Sequence, residues 1–214
     1  MRQGLPDEDD KDKMMNIAVF ASGRGTNFSA IARAVKSGRV KANLALLVCD
    51  QPGAAVLGRA RRAGVKAVLV ERKDFQTKED FENKIIQHLE ENKIDLIALA
   101  GFMRLLSPAF VRRYHNRIIN IHPSILPSFK GTAAIKDALE YGVKVTGVTV
   151  HFVDEELDHG AIILQGALKI EEDESPQSVE AKIHKLEHKL YPQAISLYVE
   201  GKIKVEGRKA GLSA

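Results

Sequence analysis

The chain has 214 residues, 44% hydrophobic and 28% charged, which is ordinary for one globular domain with room for a full core. No apolar run approaches the roughly 18 residues of a membrane span, and the first residues lack an apolar signal-peptide core. The single cysteine, Cys49, excludes an internal disulfide framework, so a reducing, cytoplasmic setting is expected. Net charge is +4, which suits anionic small molecules, while the absence of Trp and of any basic run interleaved with aromatics argues against nucleic acid.

Residues 1–13 are polar and without apolar period, and are expected to be a disordered extension. Asn16–Ala21 reads as a buried strand, after which Phe28, Ile31, Ala32 and Val35 recur at helical spacing. Asn43–Val48 is a second strand, Gly53–Ala63 a helix and Ala67–Val70 a third strand. Phe81, Ile85 and Leu89 mark another helix, and Ile94–Ala100 and Arg117–Ile121 are further buried strands. Val143–Val153 and Ala161–Ile170 lie close enough to pair antiparallel at one edge. Ser175-Pro176 then opens a helix whose apolar stripe, Val179, Ile183, Leu186 and Leu190, runs to Tyr191-Pro192. Near-continuous apolar strands separated by helices predict an α/β fold: an open, mostly parallel, Rossmann-like sheet with helices on both faces. One domain is expected over 14–200, followed by a C-terminal tail, 201–214.

Chemistry is concentrated in three places. Ser22-Gly23-Arg24-Gly25-Thr26-Asn27 follows the first strand and opens a helix, where backbone N–H groups and the helix dipole favour an anion. A β-carbon at Gly25 would block that approach. Asn27 and Phe28 stand where a dinucleotide fingerprint has its third glycine, so a single phosphate is favoured over a pyrophosphate. Asp50, after the second strand, keeps a nicotinamide enzyme open as an alternative, since it could serve as the ribose-binding acid.

His184-Lys185-Leu186-Glu187-His188 matches the H-x-x-E-H pattern of inverted zinc peptidases, with both imidazoles on one helix face. A catalytic zinc needs a third protein ligand, and only Glu200 and Glu206 remain downstream as acids. No metal is therefore expected.

The third place is Asn120-Ile121-His122-Pro123-Ser124, where period-two alternation points Asn120 and His122 to one side as a strand runs out. Strand carboxyl ends are where ligands sit in open α/β sheets, and an amide beside an imidazole suits a reaction that builds negative charge on a carbonyl oxygen. A capping Asn and a hydrogen-bonded core His would look the same in sequence. Asp158, in the acidic turn between the two late strands, adds an acid that could orient the ring and favour its charged form.

Together these segments resemble the phosphoribosylglycinamide formyltransferases, a family of folate-dependent formyl transferases. The resemblance runs from about Asn16 to Val199 and rests on five segments in order. They are Ala21 to Asn27, Leu99-Ala100-Gly101-Phe102-Met103-Arg104-Leu105-Leu106-Ser107-Pro108, Asn120 to Pro127, Val150 to Gly160, and Glu187-His188 with Tyr191-Pro192. It implies Asn120, His122 and Asp158 as the catalytic trio. It further implies Gly25, Thr26, Asn27 and Glu187 at the ribonucleotide, and Lys78, Met103, Arg104, Leu105, Leu106 and Asn120 at the folate. Lys78 stands where many relatives carry Arg, which turns a bidentate grip into a point-charge contact. The implied co-substrate is 10-formyltetrahydrofolate, without a metal, and the implied acceptor is 5-phosphoribosylglycinamide, in purine biosynthesis. A cis peptide at Leu126–Pro127 and a monomer or homodimer are also expected. Lys130-Gly131-Thr132-Ala133-Ala134, His159 and Ala161 depart from the family pattern. Relatives acting on initiator tRNA, or deformylating the folate, share the catalytic motif but carry an extra domain, so chain length favours the free nucleotide. A non-catalytic phosphate-binding domain is the remaining alternative.

Overall fold

The computed structural model describes residues 14–212, so the expected extension at 1–13 lies outside the described residues. The elements in chain order are β1 (Asn16–Phe20), α1 (Thr26–Lys36), β2 (Asn43–Cys49), α2 (Ala55–Ala63), β3 (Lys66–Leu69), α3 (Lys78–Glu91), β4 (Leu96–Leu99) and α4 (Pro108–Arg113). They continue with β5 (Ile118–His122), α5 (Ala134–Tyr141), β6 (Val145–Phe152), β7 (Ile162–Lys169), α6 (Pro176–Val199), β8 (Ile203–Glu206) and β9 (Lys209–Leu212).

One sheet runs in the order β3-β2-β1-β4-β5-β6-β7-β9-β8. The strands from β3 through β5 are parallel, and β6 is antiparallel to both β5 and β7. Strand alternation divides the interior into two cores. Ile17 and Val19 of β1 face α1 and α6 with Phe28, Ile31, Val179, Ile183 and Tyr191. Ala18 and Phe20 face the other side with Phe81, Ile85, Leu89 and Phe110 of α3 and α4. Between β1 and β4 the strand order reverses, so the chains leaving them diverge to opposite faces and open a crevice at the strand carboxyl ends.

Two expectations need correction. The stretch read as a C-terminal tail carries the β8–β9 hairpin, which pairs with β7 and extends the expected antiparallel edge of the sheet out to β8. Ile203, Val205 and Ala210 rest on the first core, and that partial burial is what orders the hairpin. Likewise, α6 does not end at Tyr191-Pro192 but continues to Val199. Proline forfeits one backbone hydrogen bond there, but Ala194 and Ile195 extend the same buried face. Tyr191 adds an anchor, its single hydroxyl proton shared between the carbonyls of Leu99 (2.8 Å) and Ile119 (3.0 Å) in adjacent strands.

Candidate active site

The crevice holds a cavity of about 670 Å³ lined by the loops after β1, β4, β5 and β6 and by one face of α6. Gly25 is the N-cap of α1 in a left-handed conformation, φ 72 and ψ 33, and no side chain caps the helix. The first N–H groups of α1 therefore remain for an anion, at the positive end of the helix dipole. Asn27 Nδ2 donates to Glu187 Oε2 at 3.0 Å, and Arg24 Nη2 donates to Glu180 Oε1 at 2.7 Å, which stitches this loop to α6. His184 joins them, with Nδ1 2.9 Å from Glu187 Oε2 and Nε2 3.1 Å from Glu180 Oε1. The hydrogen bond to Glu187 is the main cause that raises the His184 pKa above its ordinary value, against the pull of burial. Both ring nitrogens of His184 thus lie against carboxylates, while the His188 ring stacks on that of His184 and its buried Nε2 has no hydrogen-bond partner among the described residues.

Across the crevice, Met103, Arg104, Leu105 and Leu106 all line the cavity. Met103 and Leu105 are 64% and 68% exposed, an apolar lip facing water. Arg104 Nε donates to Asp50 Oδ2 at 2.7 Å, and Asp50 is only 2% exposed. The acid that could have held a nicotinamide ribose is thereby engaged by a neighbouring loop. The other end of this loop is held by Glu82 of α3, 4% exposed, which accepts from the Ser107 backbone N–H at 2.8 Å and from its hydroxyl. Lys78 stands apart: its Nζ lies 3.8 Å from Glu82 Oε1, and the residue does not line the cavity.

The trio converges on the cavity floor. His122 Nε2 donates to the Phe129 carbonyl at 2.8 Å, and Nδ1 faces Asp158 Oδ2 at 3.4 Å. Asp158 Oδ2 also accepts from the Gly131 N–H at 2.8 Å, so the loop that departs from the family pattern is latched to the acid. Leu126–Pro127 is cis, as the resemblance implies. The turn is pinned to the sheet by Thr149, whose hydroxyl donates to the Ser124 carbonyl (2.8 Å) and accepts from the Leu126 N–H (3.1 Å).

Sequence reasoning gave His151 no role, yet it sits directly across the β5–β6 ladder from Asn120. Its Nδ1 donates to the Phe152 carbonyl at 2.7 Å, which leaves the Nε2 lone pair to accept from Asn120 Nδ2 at 3.2 Å. That contact fixes which end of the Asn120 amide faces the strand. Burial holds the His151 pKa below its ordinary value, opposed by the Phe152 carbonyl and by Asp158, whose Oδ1 is 3.8 Å away. Only the antiparallel register, which pairs position 120 with 151, could have revealed the contact.

The Formyl transferase family model matches residues 15–195, nearly all of this architecture. The chain belongs to the formyl transferase family. It is 47% identical over 182 residues to the phosphoribosylglycinamide formyltransferase of Bacillus subtilis (strain 168), covering 85% of this chain and 93% of that one. The crystal structure of glycinamide ribonucleotide transformylase 1 from Symbiobacterium toebii superposes with a TM-score of 0.92 at 40% identity, over 94% of this chain and 95% of its own. The chain is also 38% identical over 193 residues to the Homo sapiens trifunctional purine biosynthetic protein adenosine-3, matching 90% of this chain but spanning only 19% of that protein. Within the family's matched span lie the Gly-rich loop, the apolar lip and the trio, all opening into one cavity.

Proposed function

We propose that the chain transfers the formyl group of 10-formyltetrahydrofolate to the amine of 5-phosphoribosylglycinamide in purine biosynthesis, in the cytoplasm. The observation that carries this reading is that an anion-binding helix start and an apolar lip flank the Asn120–His122–Asp158 cluster in a single cavity. Gly25, Thr26, Asn27 and Glu187 would hold the phosphorylated acceptor. Met103, Arg104, Leu105, Leu106 and Asn120 would hold the folate. Lys78, outside the cavity lining, would meet only a part of the folate that extends beyond it, as a point charge.

The acceptor nitrogen attacks the formyl carbon, forming a C–N bond as the carbonyl electron pair moves to oxygen. The resulting tetrahedral oxyanion collapses as the bond to the folate nitrogen breaks, and the amine's proton passes to that leaving nitrogen. Asn120 offers a second amide N–H to the oxyanion, because its first is committed to His151. His122 contributes through Nε2–H only by exchanging the Phe129 carbonyl for the substrate oxygen. Asp158 steadies the opposite ring nitrogen. None of these steps calls on a metal.

The test is release of the deformylated folate with 5-phosphoribosylglycinamide as acceptor. Acceptor-dependent release is expected. Release at the same rate without acceptor would mean a deformylase, and no release would leave a phosphate-binding domain.

A further inference from the structure

The acid of the trio sits in a turn that is fastened from outside the cavity. Asp158 has φ 48, a left-handed backbone that residues other than glycine rarely hold without support. Inside the cavity its carboxylate meets the Gly131 N–H at 2.8 Å, the His122 Nδ1 at 3.4 Å and, through Oδ1, the His151 Nε2 at 3.8 Å. At the cavity rim, the turn is clasped by a side-chain pair of Asp154, which lines the cavity, and His159, which does not. His159 Nδ1 lies 2.7 Å from Asp154 Oδ2, while Asp154 Oδ1 accepts from the Glu156 N–H at 3.0 Å. The clasp is then tied to the C-terminal hairpin. Arg208, in the turn between β8 and β9, donates Nη2 to the His159 carbonyl at 2.9 Å. The next residue, Lys209, is where β9 pairs with β7, opposite Ile162. Neither His159 nor Arg208 lines the cavity, so neither touches a substrate held there.

We propose that His159 and Arg208 are positioning residues for Asp158, and that the C-terminal hairpin braces the acid against His122. Asp158 must keep its carboxylate toward His122 while its backbone is in an unfavoured conformation. Opening the His159–Asp154 pair or freeing the His159 carbonyl loosens the turn between Asp154 and Gly160, which Arg112 also holds through Glu155 at 3.0 Å. Released, the turn would spend part of its time with the carboxylate away from the ring. Substrate contacts made by the loops after β1 and β4 would stay as they are. This proposal rests on Asp158 acting in the formyl transfer proposed above.

The experiment measures kcat and KM for Arg208→Ala and His159→Ala, each alone and combined with Asp158→Asn, using the folate-release assay on full-length protein. Each single variant should lower kcat about 3- to 10-fold, the scale of one lost hydrogen bond, with both KM values within about twofold of the parent. In the Asp158→Asn background neither change should lower kcat further, because the brace acts only through that carboxylate. Arg208→Lys, which keeps a donor, should recover part of the loss. Equal losses in both backgrounds would show a general effect on the fold and overturn the proposal. So would parent-like kcat in both single variants beside a crippled Asp158→Asn. Parent-like kcat in Asp158→Asn itself would instead overturn the site reading, and the brace with it.

Discussion

Gly25→Ala places a β-carbon where the fold has no room for one. Gly25 holds φ 72 and ψ 33 at the start of α1, a left-handed conformation that costs a residue with a β-carbon about 1–2 kcal/mol. The added Cβ would stand 2.6 Å from Val56 Cβ and closer still to Val56 Cγ2, and Val56 is fully buried in the first core. Carbon atoms ordinarily approach to about 3.5–4.0 Å, so α1 and α2 must separate, and overpacking of this kind costs about 1–3 kcal/mol. The sum is about 2–5 kcal/mol, set against a total stability of about 5–15 kcal/mol. At about 2–4 °C per kcal/mol for a chain of this size, the melting midpoint falls by roughly 4–20 °C. The Gly-rich pattern alone directs that β-carbon toward the phosphate; the coordinates direct it toward α2. Lost stability is therefore the first consequence, and a raised acceptor KM the second, because the same shift carries the Thr26 and Asn27 amides with it. Thermal melts and initial rates on one preparation separate the two. Val56→Ala in the Gly25→Ala background removes the Cγ2 contact and should restore part of the midpoint. A Gly25→Ala protein with parent midpoint and parent acceptor KM refutes the reasoning.

The same contrast between local and distant information governs what could be read from the sequence. The βα alternation was legible because apolar runs such as Asn43–Cys49 and stripes such as Phe81, Ile85 and Leu89 are local signals. Asn120 and His122 were legible for the same reason, since alternation along one strand puts them on one side. Contacts set by chain crossings were not. The β8–β9 hairpin carries few apolar residues, and they become half-buried only against a core assembled from elsewhere. Glu82 looks like a surface helix residue until Ser107 arrives from 25 positions away. Lys78 matched a family position, yet the fold pairs it with Glu82 on α3 rather than turning it into the cavity. His151 becomes a partner of Asn120 only through the β5–β6 register, which no local pattern encodes.

Further outcomes can be stated for the site and its supports. Asn120→Ala should lower kcat by about 10²–10³, the scale of one oxyanion donor, and His122→Ala at least as much; parent-like turnover in both folded variants would move the chemistry elsewhere. Glu82→Ala strips the acceptor from the Ser107 N–H and hydroxyl. It should raise the folate KM more than the acceptor KM, and the reverse order would detach the 103–106 loop from the folate. Exhaustive chelation should leave turnover unchanged, since His184 is committed to carboxylates; activity lost on chelation and restored by one metal would overturn that. The last outcome concerns His151, whose folded pKa is lowered, first by burial, while the groups facing it, Asp158 and Asp154 on one side and His122 on the other, pull in opposite directions. In the unfolded chain it titrates near 6.5, so on acidification the unfolded state takes up the proton first. Its contribution to stability is therefore present above that pH and lost as pH falls below it. His188, also lowered mainly by burial, acts in the same direction, whereas His184, raised by Glu187, opposes both, so the parent curve alone mixes their effects. Subtracting a His151→Gln variant isolates the term. The parent's advantage in unfolding free energy should shrink as pH is lowered from about 7.5 to about 5.5. A difference that stays flat across that window would mean His151 is not held neutral by the fold, and that the Asn120 amide is not oriented by its lone pair.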